Sequence, residues 1–245
     1  YSEFSYNTLA GAYEPFLDII CNMHRRFIGG SFDDFQKECG VYYLHRQVLN
    51  SYYETGECFR EETVLLNEVA YEQRRMTMAI ADMLKRLSEV RPLMIVINRF
   101  QMASKSSIET IKYLIDNPCP NIGIVLGVNA LVRGTDSTVE VWDRIVESLE
   151  DRSAIYYIGS AGQLKNQIRD TSDDELYITT NFEQSIQEAS NIMEFLDYEQ
   201  ARRGCRIIEH KIKFEDAWID EKSLRRFYLV YARTSVLLGE MSKAI

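Results

Sequence analysis

The sequence predicts an α/β fold, a parallel sheet with flanking helices, followed by an all-α segment of helical-repeat type. Two apolar runs rich in β-branched residues, Leu93 to Ile97 after Pro92 and Ile122 to Val128, carry the first half of that reading. Both are too short for helices and suit strands buried on both faces. A helical pattern lies between them, so they are expected to pair in parallel through a right-handed crossover. After Gly162 the pattern becomes wholly helical, which divides the chain into an α/β part over 1–160 and an α-helical part over 161–245.

Tyr1 to Ala12 reads as the end of a strand followed by a loop. From Tyr13 to Ile28, Phe16, Leu17, Ile19, Ile20, Met23 and Phe27 recur at helical spacing; Pro15 fits the first turn and Gly29-Gly30 supplies the stop. A second short helix spans Phe32 to Glu38, with Ser31 as N-cap and Asp33-Asp34 in the first turn. Val41 to Tyr53 is helical too. The longest periodic segment, Arg60 to Val90, keeps Leu65, Val69, Met76, Ile80, Met83, Leu84 and Leu87 on one face, so it is expected along the sheet. Past the first strand, Ser106 to Asn117 forms an amphipathic helix ended by Pro118 and Pro120. Val139 to Leu149 is a further helix, and Ala154 to Ile158 reads as a third strand. Helices over Gln163 to Arg169, Phe182 to Leu196, Tyr198 to Lys213 and Ser223 to Leu238 complete the pattern.

Composition bounds the function. A chain of 245 residues that is 46% hydrophobic and 27% charged is that of a soluble globular protein. The net charge of −9 argues against direct nucleic-acid binding, because no broad cationic footprint exists. No apolar run approaches the roughly 20 residues that span a bilayer, and no signal peptide opens the chain. Five cysteines without paired spacing read as reduced thiols of a cytoplasmic protein. With no initial methionine and an end in mid-helix, the chain reads as a piece of something longer.

The chemistry, if any, is expected in RPLMIVINRFQMASKSS, Arg91 to Ser107, where a strand ends in a loop that feeds a helix. This stretch resembles the Walker B region of the signal-transduction ATPases with numerous domains, the STAND class of P-loop NTPases, AAA-like modules of bacterial signalling proteins. There a Pro-led apolar strand ends in two acids, followed by a loop with an aromatic, an alanine and an acid. Here Asn98 and Arg99 replace the acidic pair and Ser104 stands in place of the loop acid, while Phe100 and Ala103 are kept. The element order matches over about 1–160, and the match is specific around 60–130. No G-x-x-x-x-G-K-[ST] occurs, so the resemblance implies a Walker A element upstream of Tyr1.

By the same resemblance, the nucleotide would meet Asn98, Arg99, Ser104 and Asn129, the last where the family places a polar sensor near the γ-phosphate. ATP and Mg²⁺ would belong to the full-length parent. Asn98 can accept a hydrogen bond from a metal-bound water but contributes no negative charge, and Arg99 stays protonated and cannot act as a base. These degenerate Walker B positions imply a nucleotide-dependent switch deficient in hydrolysis. No catalytic residue and no protein metal ligand is assigned. The partners implied are proteins or an output domain of the same parent chain, with no membrane. A second reading stays open: a non-catalytic interaction scaffold with a degenerate NTPase layer. Leu238-Gly239-Glu240-Met241-Ser242-Lys243-Ala244 resembles the turn of a tetratricopeptide-type hairpin, and Phe195-Leu196-Asp197-Tyr198-Glu199-Gln200-Ala201 echoes it, with Leu196 where glycine is usual.

The remaining candidates have structural explanations. Cys21 and His24 share a helix face but lack a second ligand pair. His45 and His210 have no triad partners nearby in sequence. Asp33-Asp34, Glu61-Glu62 and Asp173-Asp174-Glu175 suit helix N-termini. Met76, Met78 and Met83 suit a core. Tyr42, Tyr43, Tyr52 and Tyr53 suit an interface or a packed hairpin.

Overall fold

The computed structural model describes residues 2–3, 11–59, 68–128, 143, 145–147, 149, 182–214 and 220–240. In chain order the elements are β1 (Ser2–Glu3), α1 (Phe16–Met23), α2 (Phe32–Glu38), α3 (Tyr43–Thr55), α4 (Val69–Val90), β2 (Leu93–Asn98), α5 (Lys105–Asp116), β3 (Ile122–Leu126), α6 (Phe182–Glu194), α7 (Tyr198–Phe214) and α8 (Glu221–Leu237). The expected strand Ala154 to Ile158, the helix Gln163 to Arg169, the residue Asn129 and the boundary between the two halves lie outside the described residues. So do the acids Glu61-Glu62 and Asp173-Asp174-Glu175. The described positions between 143 and 149 are helical.

Local chemistry explains the ends of these elements. Ser31 Oγ accepts from the Asp34 amide at 3.2 Å, capping α2, and Lys37 bridges back to Asp33 at 2.6 Å and Asp34 at 2.9 Å. Helix α1 begins at Phe16 and not at Tyr13, because Tyr13 has φ of 59° and turns the chain before the helix starts. Its last turn widens over His24–Ile28 until the Gly29 amide reaches the His24 carbonyl at 2.8 Å.

The three strands form one sheet in the order β1-β2-β3, every pair parallel. The register runs from Leu93 opposite Ile122 to Ile97 opposite Leu126, with Ser2 opposite Ile97 on the other side. Strand alternation therefore puts Leu93, Ile95, Ile97, Ile122, Ile124 and Leu126 on one face. That face joins the core built from α4 and α5, with Met76, Ile80, Met83, Leu84, Leu87, Ile108 and Ile111. On the other face Met94 is 69% exposed and Val125 52%. The expectation of strands buried on both faces is thus corrected: among the described residues β2 and β3 are covered on one side, because α4 and α5 pack against each other on that side.

The same core continues into the helical half through Ile192, Met193, Phe195, Leu196, Tyr198, Ala201 and Ile207. Phe195 meets Tyr13 edge-on with ring centroids 5.7 Å apart. Asn191 on α6 accepts from the Cys58 amide at 2.9 Å and donates to the Gly56 carbonyl at 3.0 Å, which ties the chain after α3 to the helical half. A smaller cluster, Ile186, Ala189, Cys205, Ile208, Phe227 and Val230, holds α6, α7 and α8 to one another. Met76 and Met83 fill the core as expected, whereas Met78 is exposed. All five cysteines are free thiols. Among the described residues no helix is long and apolar enough to cross a membrane.

Two stability measurements follow. Ile97→Ala should lower the urea-unfolding free energy by about 2–5 kcal/mol, whereas Met94→Ala should cost less than about 1 kcal/mol. Burial, with Asp18 and Glu188 nearby, pushes the Glu14 carboxyl up to about 7 against the opposing bond from the Gly11 amide. A carboxyl raised in the folded state contributes stability at low pH that is lost as pH rises through its folded pKa. Glu14→Gln should therefore reduce the loss of stability between pH 5 and 8, by up to about 3 kcal/mol, in parallel unfolding titrations.

Candidate functional site

The C-terminal edge of the sheet is where β2 and β3 release their loops, and in open parallel sheets this edge holds ligands. Pairing continues one step past the strands: the Gly127 amide donates to the Ile97 carbonyl at 2.7 Å, and the Phe100 amide donates to the Gly127 carbonyl at 3.0 Å. The two loops are thereby stitched together. Glycine suits this closeness, since a Cβ at 127 would lie 2.6 Å from Asn98 Oδ1 and the Asn98 side chain would have to shift. Asn98 Oδ1 in turn accepts from the Arg99 amide at 3.0 Å, and Arg99 adopts a left-handed backbone with φ 55° and ψ 39°. That conformation is costly for a residue with a Cβ. The fully buried Phe100 anchors the turn that follows, Phe100–Met102. Asn98 and Arg99 are half-buried at the strand end.

Ser104 is N-cap of α5 and faces inward. Its hydroxyl accepts from the Ser107 amide at 3.3 Å and lies 3.0 Å from Ser106 Oγ and 2.9 Å from Ser107 Oγ. All three serines are buried. The Tyr13 amide donates to Ser106 Oγ at 3.2 Å, and Thr110 Oγ1 donates to the Ser106 carbonyl at 2.8 Å. The structure thus brings Asn98 and Arg99 together at the strand end and turns Ser104 away into a capping network. Asn129 is not described.

Asp197 is the residue that sequence reasoning missed. It precedes α7, is 5% exposed, and accepts from the Gln200 amide at 3.3 Å. Its Oδ2 closes no hydrogen bond of ordinary geometry, while the Ser106 hydroxyl and amide and the Lys105 charge lie near enough to favour the ionised form. Burial outweighs them and holds the carboxyl above its usual range. Glu109 on α5 is raised as well, first by burial and then by Asp197, against Lys105. The sequence signal available was Asp197 followed three residues later by Gln200, a capping-box spacing.

Other polar arrangements are structural. His45 Nε2 lies 3.0 Å from Glu72 Oε2, Glu72 is 3.2 Å from Arg75, and the Arg75 guanidinium sits 3.8 Å from the Tyr42 ring centre; this group, in which His45 and Glu72 are buried, fastens α3 to α4. His24 is packed among Phe32, Phe35 and Tyr53, with Nδ1 3.2 Å from the Tyr53 hydroxyl, and burial together with Arg25 lowers its pKa. Among the described residues no group of three or more His, Cys, Asp or Glu is arranged to hold a metal ion. Protein-family models, curated proteins and solved structures give no match to the chain.

The Asn98–Gly127 contact is open to a double-mutant cycle. Gly127→Ala should push the Asn98 side chain off the Arg99 amide and cost about 1 kcal/mol or more. In the Asn98→Ala background the same substitution should cost about 0.5 kcal/mol or less, because the atom it collides with is gone.

Proposed function

We propose that the loop after β2 is a degenerate nucleotide site in a bacterial STAND-type signalling protein, an ATP-dependent switch deficient in hydrolysis. The observation that carries this reading is the half-buried Asn98-Arg99 pair at the C-terminal edge of a parallel sheet, stitched to the next strand's loop and held in a costly backbone conformation. A permanently charged guanidinium there suits phosphate oxygens, which it can meet in a bidentate, charge-assisted way. Neither Asn98 nor Arg99 can accept a proton from an attacking water, and neither neutralises Mg²⁺, so binding without turnover is the expected chemistry. The reading assigns the glycine-rich loop that grips the phosphates to sequence before Tyr1. The partners are an output domain of the same parent chain or proteins docked on the helical half. Tetratricopeptide-like stacking of that half is supported by the matching backbone turns at Leu196 and Gly239, both left-handed.

One observation favours the second reading, a non-catalytic scaffold. The Ser104 hydroxyl is committed to its own helix N-terminus, which leaves one fewer polar group for a nucleotide.

Calorimetric titration of the longer parent chain with Mg-ATP, alongside a phosphate-release assay, separates the two. The switch predicts binding without release above background, and a loss of about 10- to 100-fold in affinity for Arg99→Ala, the worth of a charged hydrogen bond. Restoring acids with Asn98→Asp and Arg99→Glu should bring back measurable release. An absence of binding by a parent chain with an intact glycine-rich loop would establish the scaffold instead.

A further inference from the structure

Residues 25–31 all face solvent, while His24, which starts this stretch, is fully buried. The helix widens at the same point. Over His24–Ile28 the turn takes up one more residue, and the Gly29 amide closes back on the His24 carbonyl at 2.8 Å. The imidazole that anchors this turn is enclosed by Phe32 and Phe35 of α2 and by Tyr53 of α3, with ring centres 5.1, 5.2 and 5.5 Å away. Its Nδ1 lies 3.2 Å from the Tyr53 hydroxyl, whereas Nε2 is buried and has no hydrogen-bond partner among the described residues. Tyr53 is itself clamped. Phe32 stacks on it at 4.2 Å, and Arg25 places its guanidinium 4.3 Å from the ring centre and donates to the Tyr53 carbonyl.

We infer that His24 is an acid-released latch: the neutral imidazole fastens the widened turn after α1 to α2 and α3, and protonation of the ring lets residues 24–31 go. The enclosure admits one cheap form of the ring. With its proton on Nδ1, donated to the Tyr53 hydroxyl, the neutral ring leaves only a bare acceptor at Nε2. Protonation turns Nε2 into a charged donor in the same apolar surroundings, where an unmet charged donor costs far more. The groups around the ring bring no compensation. From α3 the titratable group is Tyr53, α2 contributes two apolar rings, and Arg25 of the same turn adds a like charge. Just past the end of α4, Arg91 lies 4.6 Å from the Phe27 ring centre and brings a further positive charge to the turn. Among the described residues no carboxylate pairs with His24, and the Tyr53 ring is already paired with the Arg25 cation. Burial first, and Arg25 second, hold the imidazole below its usual range. A histidine lowered in this way contributes stability that is complete above its unfolded pKa, near 6.5, and is lost as pH falls from there towards the folded pKa. The inference concerns the turn between α1 and α2 and stands apart from the nucleotide reading.

NMR of the histidine rings, together with amide hydrogen exchange on the 245-residue chain over pH 4.5 to 7.5, tests the latch without any ligand. The Gly29 amide is the reporter, because its bond is to the His24 carbonyl. Its protection factor should fall by about tenfold per pH unit below about 6.5, until the folded pKa of His24 is reached, while the amides of β2 keep theirs. The sign is opposite to that expected of Glu14, so the two effects do not mix. His24→Phe should abolish the fall and leave Gly29 protected at pH 5. Arg25→Gln should move the midpoint of the His24 titration to higher pH by removing the like charge. A fall at Gly29 that persists in His24→Phe would overturn the latch. So would a His24 ring that titrates near 6.5 with Gly29 unmoved, or protection lost from β2 together with Gly29, which is general unfolding. If His24→Phe does not fold, the ring titration of the unaltered chain and the Arg25→Gln midpoint still decide it.

Discussion

The structure depends on the burial of one stripe along α4. Met76, Ile80, Met83, Leu84 and Leu87 are fully removed from solvent, at about 1.5–3 kcal/mol each against the entropy of ordering them. This one helix touches α1, α5 and the sheet face, and its Gln73 side chain donates to the Leu196 carbonyl in the helical half. Its C-terminus passes through Arg91 and Pro92 directly into β2, and the Leu93 amide donates to the Asn121 carbonyl at 2.8 Å, just before β3. Fixing α4 therefore fixes where β2 begins. A slip of one residue would carry Ile95 and Ile97 to the open face and Met94 and Val96 into the core. The position of Asn98 and Arg99 at the strand end is a consequence of that register.

Much of this was legible because it is local. Pro92 and the β-branched runs marked β2 and β3, the period of α4 marked its buried stripe, and Ser31 announced the cap of α2. What was not legible depends on contacts between distant segments. Nothing in LMIVI says that both neighbouring helices pack on the same side of the sheet. Nor does spacing reveal that His45 meets Glu72, or that Asp197 reaches the serines of α5. By the resemblance Ser104 was expected in place of the loop acid, among the residues that meet a nucleotide, and its inward turn follows from the demand of orphan amides at the start of α5.

The two matching turns of the helical half show how a local rule yields to burial. At the end of α6 the Leu196 amide bonds the Met193 carbonyl at 2.9 Å and the Asp197 amide bonds the Ile192 carbonyl at 3.2 Å. At the end of α8 the Gly239 amide bonds Val236 at 3.0 Å and the Glu240 amide bonds Ser235 at 2.8 Å, the same pattern. Gly239 has φ of 76° and open space where a Cβ would stand, so glycine is the economical choice. Leu196 pays the left-handed penalty of about 1–2 kcal/mol, yet it is 2% exposed and belongs to the main core. Burying a leucine is worth about 1.5–3 kcal/mol, enough to offset that penalty.

The consequence is directional. A glycine at 196 would make the turn easier and the attachment of the helical half weaker, because the side chain that plugs into the α/β core would be missing. Leucine makes the turn harder to form unless that core is present to receive it. The geometry of the turn, and with it the placement of Asp197 one residue later, is therefore conditional on docking between the two halves. Arg99 stands in the same relation to its loop: its left-handed backbone is held by Asn98, Phe100 and Gly127 jointly. Two strained residues, each stable only while its neighbours are in place, sit on either side of the first turn of α5. Both are local conformations that the sequence around them does not favour and that packing and hydrogen bonds from other segments hold in place.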